Sequence, residues 1–294
     1  MVADSHIALF YFSGTGNTEI IARLLRDEFK MRGNHVDAFK IETILSSPSW
    51  DLNCKDIEKY EYLGMGYPIH ALNAPRIFFD FVKILPSIPT MNTFIFKCSG
   101  DPFLKGGSTS MVRTRLERKG YSVSYERLFV MPANVFISYP ESLVKQLHDA
   151  ACKKAKLMVE EILNGTRRLQ ENDWFLDIIS RAFSMLEGEG ARYMGKDFRV
   201  SESCTLCGIC IDNCPIGNIY RENTMIRFHT RCLLCLRCIY KCPENAISPR
   251  LFKFIVLKDG FNISPIINDG TIKGDFINEN TKGFYKRFRS YLDD

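Results

Sequence analysis

The run Ile7-Ala8-Leu9-Phe10-Tyr11-Phe12, followed without a break by Ser13-Gly14-Thr15-Gly16-Asn17-Thr18, decides the fold of the amino-terminal half. Six apolar residues in a row suit a buried strand, and the stretch 17 to 32 that follows carries its apolar positions at helical spacing. A strand that turns through glycines and small hydroxyl residues into a helix suits a phosphate, because backbone N–H groups and hydroxyls close around the anion at the positive end of the helix. No lysine follows, which argues against a nucleoside triphosphate. Glu19 stands where a dinucleotide loop has its third glycine.

Outward from this turn, strand-length apolar runs alternate with amphipathic stretches. The pattern predicts strands at 6–12, 35–41, 60–66, 92–98 and 121–131, with helices at 17–32, 75–85, 107–120 and 141–164 and a short or irregular helix within 42–58. Such alternation makes an α/β doubly wound parallel sheet, and the five-stranded type it resembles has the order 2-1-3-4-5 with a ligand beyond the carboxyl ends of the central strands. Two further loops fall at that edge: Gly66-Tyr67-Pro68-Ile69-His70-Ala71-Leu72-Asn73-Ala74-Pro75 after strand three, and Ser99-Gly100-Asp101-Pro102 after strand four.

The carboxyl-terminal half is governed by cysteine. Of eleven cysteines, eight form two copies of C-x2-C-x2-C-x3-C-P: Cys204, Cys207, Cys210 and Cys214 before Pro215, then Cys232, Cys235, Cys238 and Cys242 before Pro243. The copies repeat with a period of 28, the interval from Cys204 to Cys232, and Phe198-Arg199-Val200 aligns with Ile226-Arg227-Phe228. In a run of this kind the fourth cysteine ligates the other cluster, which groups Cys204, Cys207, Cys210 and Cys242 against Cys232, Cys235, Cys238 and Cys214. Zinc is the competing metal, but zinc sites use four ligands at a time and gain nothing from two crossed sets. Cys54 and Cys152 read as small packed thiols. Cys98, at the end of strand four, reads as packing or as a cofactor contact.

On these motifs residues 1–164 resemble flavodoxins and residues 198–249 resemble bacterial ferredoxins with two [4Fe-4S] clusters. Their order resembles the flavodoxin/ferredoxin fusion proteins of anaerobes. The resemblance implies a flavodoxin-like doubly wound sheet (1–164), a helical linker (165–196), a second, smaller two-cluster ferredoxin domain (197–250) and an extension (251–294). It implies FMN held by Ser13, Gly14, Thr15, Gly16, Asn17 and Thr18 at the phosphate, and by Tyr67, Pro68, Ile69, His70, Ala71, Ser99, Gly100 and Asp101 at the ring. Tyr67 is either a stacking residue or loop packing, and His70 either a proton shuttle to the flavin or a loop histidine. The expected function is electron transfer between FMN, two clusters and a redox protein such as a ferredoxin or an oxidoreductase. An FMN-dependent reductase of a small acceptor is the alternative, and a redox sensor the weaker third.

Composition bounds the rest. With 294 residues, 46% apolar and 25% charged, a disordered or collagenous chain is excluded. No apolar run approaches the roughly 20 residues of a membrane span, and Met1 to His6 lacks the features of a leader, so a soluble cytoplasmic protein is expected. The formal charge of +5 would suit nucleic acid, but clusters and a phosphate bring negative charge that reverses it, so no nucleic acid is expected. Trp174, Phe175, Ile178, Ile179, Phe183 and Leu186 form an apolar face on an expected helix, Asp173 to Leu186. Gly190 to Lys196 begins like a triphosphate loop, but Asp197 and the lack of a preceding strand discard it. A strand at Phe252 to Leu257 and a helix near Gly283 to Leu292 are expected. There Lys282, Lys286, Arg287 and Arg289 form either a solvated face or a steering patch for an acidic partner.

Overall fold

The computed structural model describes residues 4–47, 54–70, 72–103, 109–170 and 190–294. The expected helix from Asp173 to Leu186 and site residue Ala71 lie outside the described residues.

Strands β1 (His6–Tyr11), β2 (His35–Lys40), β3 (Tyr62–Pro68), β4 (Met91–Ser99) and β5 (Tyr121–Val130) form one sheet in the order β2-β1-β3-β4-β5. Every pairing is parallel. Side chains alternate across the sheet, and both faces are buried. Ile7 and Leu9 pack with Ile21, Leu25 and Phe29 of α1 (Asn17–Met31) and with Met158 and Ile162 of α6 (Glu141–Leu163). Ala8 and Phe10 face the other way, toward Ile77, Phe78 and Phe81 of α4 (Arg76–Ile84) and Val112 and Leu116 of α5 (Ser110–Glu117). Continuous apolar runs are what a sheet covered on both faces requires. The uncertain stretch between β2 and β3 holds two short helices, α2 (Ile41–Ser46) and α3 (Cys54–Glu58). Strand order and parallel register define a flavodoxin-like α/β sheet.

The second, smaller part is built on two antiparallel ladders, Phe198–Val200 with Ile247–Pro249 and Ile219–Glu222 with Met225–Phe228. The repeat is visible in the backbone. Left-handed residues recur in pairs at the same interval: Leu206 and Leu234 (φ 57 and 51), Gly208 and Leu236 (82 and 57), Gly217 and Asn245 (57 and 48). Short helices Ile209–Asp212 and Arg237–Tyr240 follow the equivalent residues Gly208 and Leu236.

Two expectations for the last segment change. Phe252 to Leu257 is not a strand but contains a 3-10 turn, Lys253–Ile255. The Asp197 carboxylate accepts the Leu251 and Phe252 N–H groups, and Ile255 packs into the cysteine-bearing core, so no ladder partner is left for an extended segment. The expected terminal helix is a 3-10 segment, Gly283–Phe288, continued by an α-turn, Arg289–Asp293. Among the described residues no helix is long and apolar enough to cross a membrane.

Candidate functional site

The carboxyl ends of the central strands open into a cavity of about 1480 Å³, part of it open to solvent. The loop after β1 supplies Ser13, Gly14, Thr15, Asn17 and Thr18 to its wall. Gly16 precedes α1 with φ 113, a turn that favours glycine, and does not line the cavity. The Ser13 hydroxyl accepts the N–H groups of Gly16 and Glu19, both at 3.2 Å. The Thr18 hydroxyl is buried beside the Cys98 thiol and finds no nitrogen or oxygen partner; Asn17 Oδ1 is buried and unpaired as well. A turn of glycines and hydroxyls leading into the first turn of a long helix, with Asn17 Oδ1 buried and unpaired beside it, fits a phosphate. Partial burial works to raise the Glu19 pKa, but hydrogen bonds from Lys40 and Arg23 outweigh it and hold the carboxyl below its usual range. Its charge is thereby neutralised near the anion site.

From the loop after β3, Pro68, Ile69 and His70 line the cavity, and His70 and Asn73 exchange backbone hydrogen bonds at 2.8 Å. Burial lowers the His70 pKa to about 4, although the ring keeps an accessible edge toward the cavity. Both observations leave the imidazole neutral at neutral pH. Of the two readings of Tyr67, ring stacking or loop packing, the structure has packing, in the core rather than in a loop. Its side chain is fully buried and its ring lies 4.6 Å from that of Phe78. The alternation of β3 turns it onto the α4 face, away from the cavity. The end of β4 and the loop after it supply Cys98, Ser99, Gly100 and Asp101. Burial pushes the Cys98 thiol up to about 12, so it is neutral and inert. A side chain at Gly100 would meet Ala133 Cβ at 2.9 Å, which explains the glycine.

Three contributors were not foreseen. The loop after β5, from Pro132 to Ile137, lines the cavity, with Asn134 donating to the Thr15 hydroxyl at 3.0 Å. Its position beyond a carboxyl strand end was the available signal. Phe284 also lines the cavity, and nothing in its sequence context announced this. The third is Arg237. Its guanidinium donates to the Gly14 carbonyl at 3.0 Å, to the Ser13 carbonyl and to the Glu42 carboxylate at 2.8 Å. The expected basic patch is reduced, since Arg287 pairs with Asp101 at 2.9 Å and lies 3.7 Å from the Phe284 ring centroid.

The eight repeat cysteines divide between two hollows. Cys214, Cys232, Cys235 and Cys238 line one of about 370 Å³, and Cys204, Cys207, Cys210 and Cys242 line another of about 340 Å³. Backbone N–H groups of Asn218 and Ala246 point at Cys214 Sγ and Cys242 Sγ, at 3.1 and 3.2 Å, again one repeat apart. Among the described residues no three His, Cys, Asp or Glu side chains converge to hold a single metal ion. Four sulfurs spread around an apolar hollow, with N–H groups turned to sulfur, fit the corners of a cluster. The first hollow abuts the phosphate loop: a side chain at Gly14 would meet the Cys235 carbonyl oxygen at 3.2 Å and its Cβ at 3.3 Å.

No family model matches the chain, and no curated protein does. Several solved structures align with about half of it. The rubredoxin oxygen:oxidoreductase of the anaerobe Desulfovibrio gigas is 17% identical over 55% of this chain and 36% of its own length, with a TM-score of 0.41. A flavodoxin from the domain Archaea is 12% identical over 54% of this chain and 99% of its own, with a TM-score of 0.36. Megasphaera elsdenii flavodoxin is 25% identical over 50% of this chain and 98% of its own, with a TM-score of 0.36. At such scores the likenesses add nothing to the strand order and register, which define the fold class by themselves.

Proposed function

We propose that this protein transfers electrons between a redox protein and a bound FMN through two [4Fe-4S] clusters. When bound, FMN exchanges one or two electrons and each cluster one, which converts between the two kinds of traffic. The Ser13–Thr18 loop would hold the phosphate through backbone N–H groups and the Thr18 hydroxyl. The loops after β3 and β4 would hold the ring, with the neutral His70 at its edge. Cys204, Cys207, Cys210 and Cys242 would hold one cluster, and Cys232, Cys235, Cys238 and Cys214 the other. The observation that carries this reading is the division of eight sulfurs into two hollows, each taking three cysteines from one run and the fourth from the other. The contact of Gly14 with Cys235 adds to it, since it sets one hollow against the phosphate loop.

Anaerobically purified protein should contain about eight iron atoms and eight acid-labile sulfides per chain and release FMN on denaturation. Zinc in place of iron, or FAD in place of FMN, refutes the assignment. Reduction of a small acceptor at the flavin is a second reading, favoured by the width of the cavity and by His70 on its wall. Turnover with a panel of two-electron acceptors, absent for a pure carrier, separates the two.

A further inference from the structure

The carboxyl-terminal segment reaches the cavity and is fastened there. Phe288 and Tyr291 are buried with Val130, Leu143 and Leu147, and the Tyr291 hydroxyl accepts the Val130 N–H at 3.0 Å. The Tyr139 ring meets those of Tyr285 and Phe288 edge-on, at centroid separations of 6.1 and 5.6 Å. Ahead of this anchored stretch, Phe284 is 45% exposed, so its ring is not used up by packing. Arg287 lies over that ring and pairs with Asp101 of the loop after β4, which ties the segment to the cavity wall at a second point.

A second aromatic of the wall, Phe136, is 68% exposed and has φ 65. A non-glycine residue in the left-handed region is strained. Nothing in core packing offsets that strain, because the ring points out to solvent. Its stacked neighbour, Phe254 at 6.1 Å, also belongs to the last segment. Tyr67, the aromatic within the expected ring loop after β3, is spent in the core.

We propose that the carboxyl-terminal segment completes the ring-binding part of the cavity. Phe284 and Phe136 supply aromatic faces for a planar heteroaromatic ring, and the Arg287–Asp101 pair sets where Phe284 stands. This rests on the flavin reading above and extends it: part of the surface that meets the ring comes from a segment outside the doubly wound sheet.

The test uses the full chain with its clusters, stripped of flavin and titrated with FMN and with riboflavin while flavin fluorescence is followed. Phe284→Ala and Phe136→Ala should each weaken both flavins by about three- to tenfold, the size of an aromatic contact, and leave more residual fluorescence. An equal loss for riboflavin marks the ring rather than the phosphate as the affected part. Phe284→Trp should restore binding. Arg287→Gln, which leaves both rings in place, should give a smaller loss in the same direction. Wild-type affinity and quenching in both alanine variants overturn the inference and leave the flavin reading standing. Wild-type protein that takes up neither FMN nor riboflavin overturns both.

Discussion

Lys97 is a buried lysine on β4, hydrogen-bonded to the Thr109 hydroxyl and, at 2.6 Å, to the Gln170 side chain. Burial lowers its pKa to about 7, with Glu126 opposing the shift and Arg113 adding to it. In an unfolded chain the ammonium keeps its proton to about pH 10.4. Between about pH 7 and 10 the unfolded chain therefore holds a proton that the folded one has released, and stability rises with pH. One such group contributes a slope of at most about 1.4 kcal/mol per pH unit. Lys97→Met should remove that slope. Thermal unfolding near pH 7 and near pH 9.5 checks this: the wild type should gain more than the variant, and equal gains refute it.

At the scale of elements, the two cysteine units show how asymmetry is written into a repeat. Ile209 of the first copy corresponds to Arg237 of the second, and Asp212 to Tyr240. Arg237 binds the phosphate loop and Glu42, and the Tyr240 hydroxyl donates to the Asn134 carbonyl at 2.7 Å. Two divergent positions of the second copy thus hydrogen-bond to the sheet half, beside the shared position Cys235 that packs on Gly14. The Glu42 side chain is largely buried, its Oε2 has no hydrogen-bond partner, and Arg237 is its ion-pair partner. Removing one member of such a pair typically costs about 3–5 kcal/mol, whereas removing both charges costs far less. Arg237→Met should lower the denaturation midpoint strongly, and Arg237→Met with Glu42→Gln should recover much of the loss. A double variant as unstable as the single one would show that packing, not charge, holds the contact.

The same elements explain what sequence could tell. The central strands were legible as apolar runs and the edge strands β2 and β5 as strand-length alternation between turn residues, and the cysteine units because ligand spacing is rigid. Phe252 to Leu257 misled because its alternation comes from two buried residues, Ile255 and Leu257, on a segment turned by the Asp197 carboxylate. Tyr67 stayed open because a residue at a strand's end belongs to either the loop or the core, and only the pleat decides which. Phe284 was beyond reach, since its place depends on how the end of the chain folds back. The unequal pair Ile209 and Arg237, by contrast, was readable in the alignment of the two copies.

For the molecule as a whole, the two hollows are not equivalent. The one holding Cys235 is backed by Gly14. The other includes Cys207, which is exposed, and neighbours Ile209, also exposed. If both hold clusters, dioxygen meets the second first, and corrosion should advance through the protein from one end. After brief controlled exposure to air, a thiol-alkylating reagent should label Cys204, Cys207, Cys210 and Cys242 well before Cys232, Cys235 and Cys238. Labelling in the reverse order would show that the sheet half gives no shelter. In that light the doubling of the cysteine unit also sets a sequence of decay, in which the outer site fails first and the one beside the phosphate loop outlasts it.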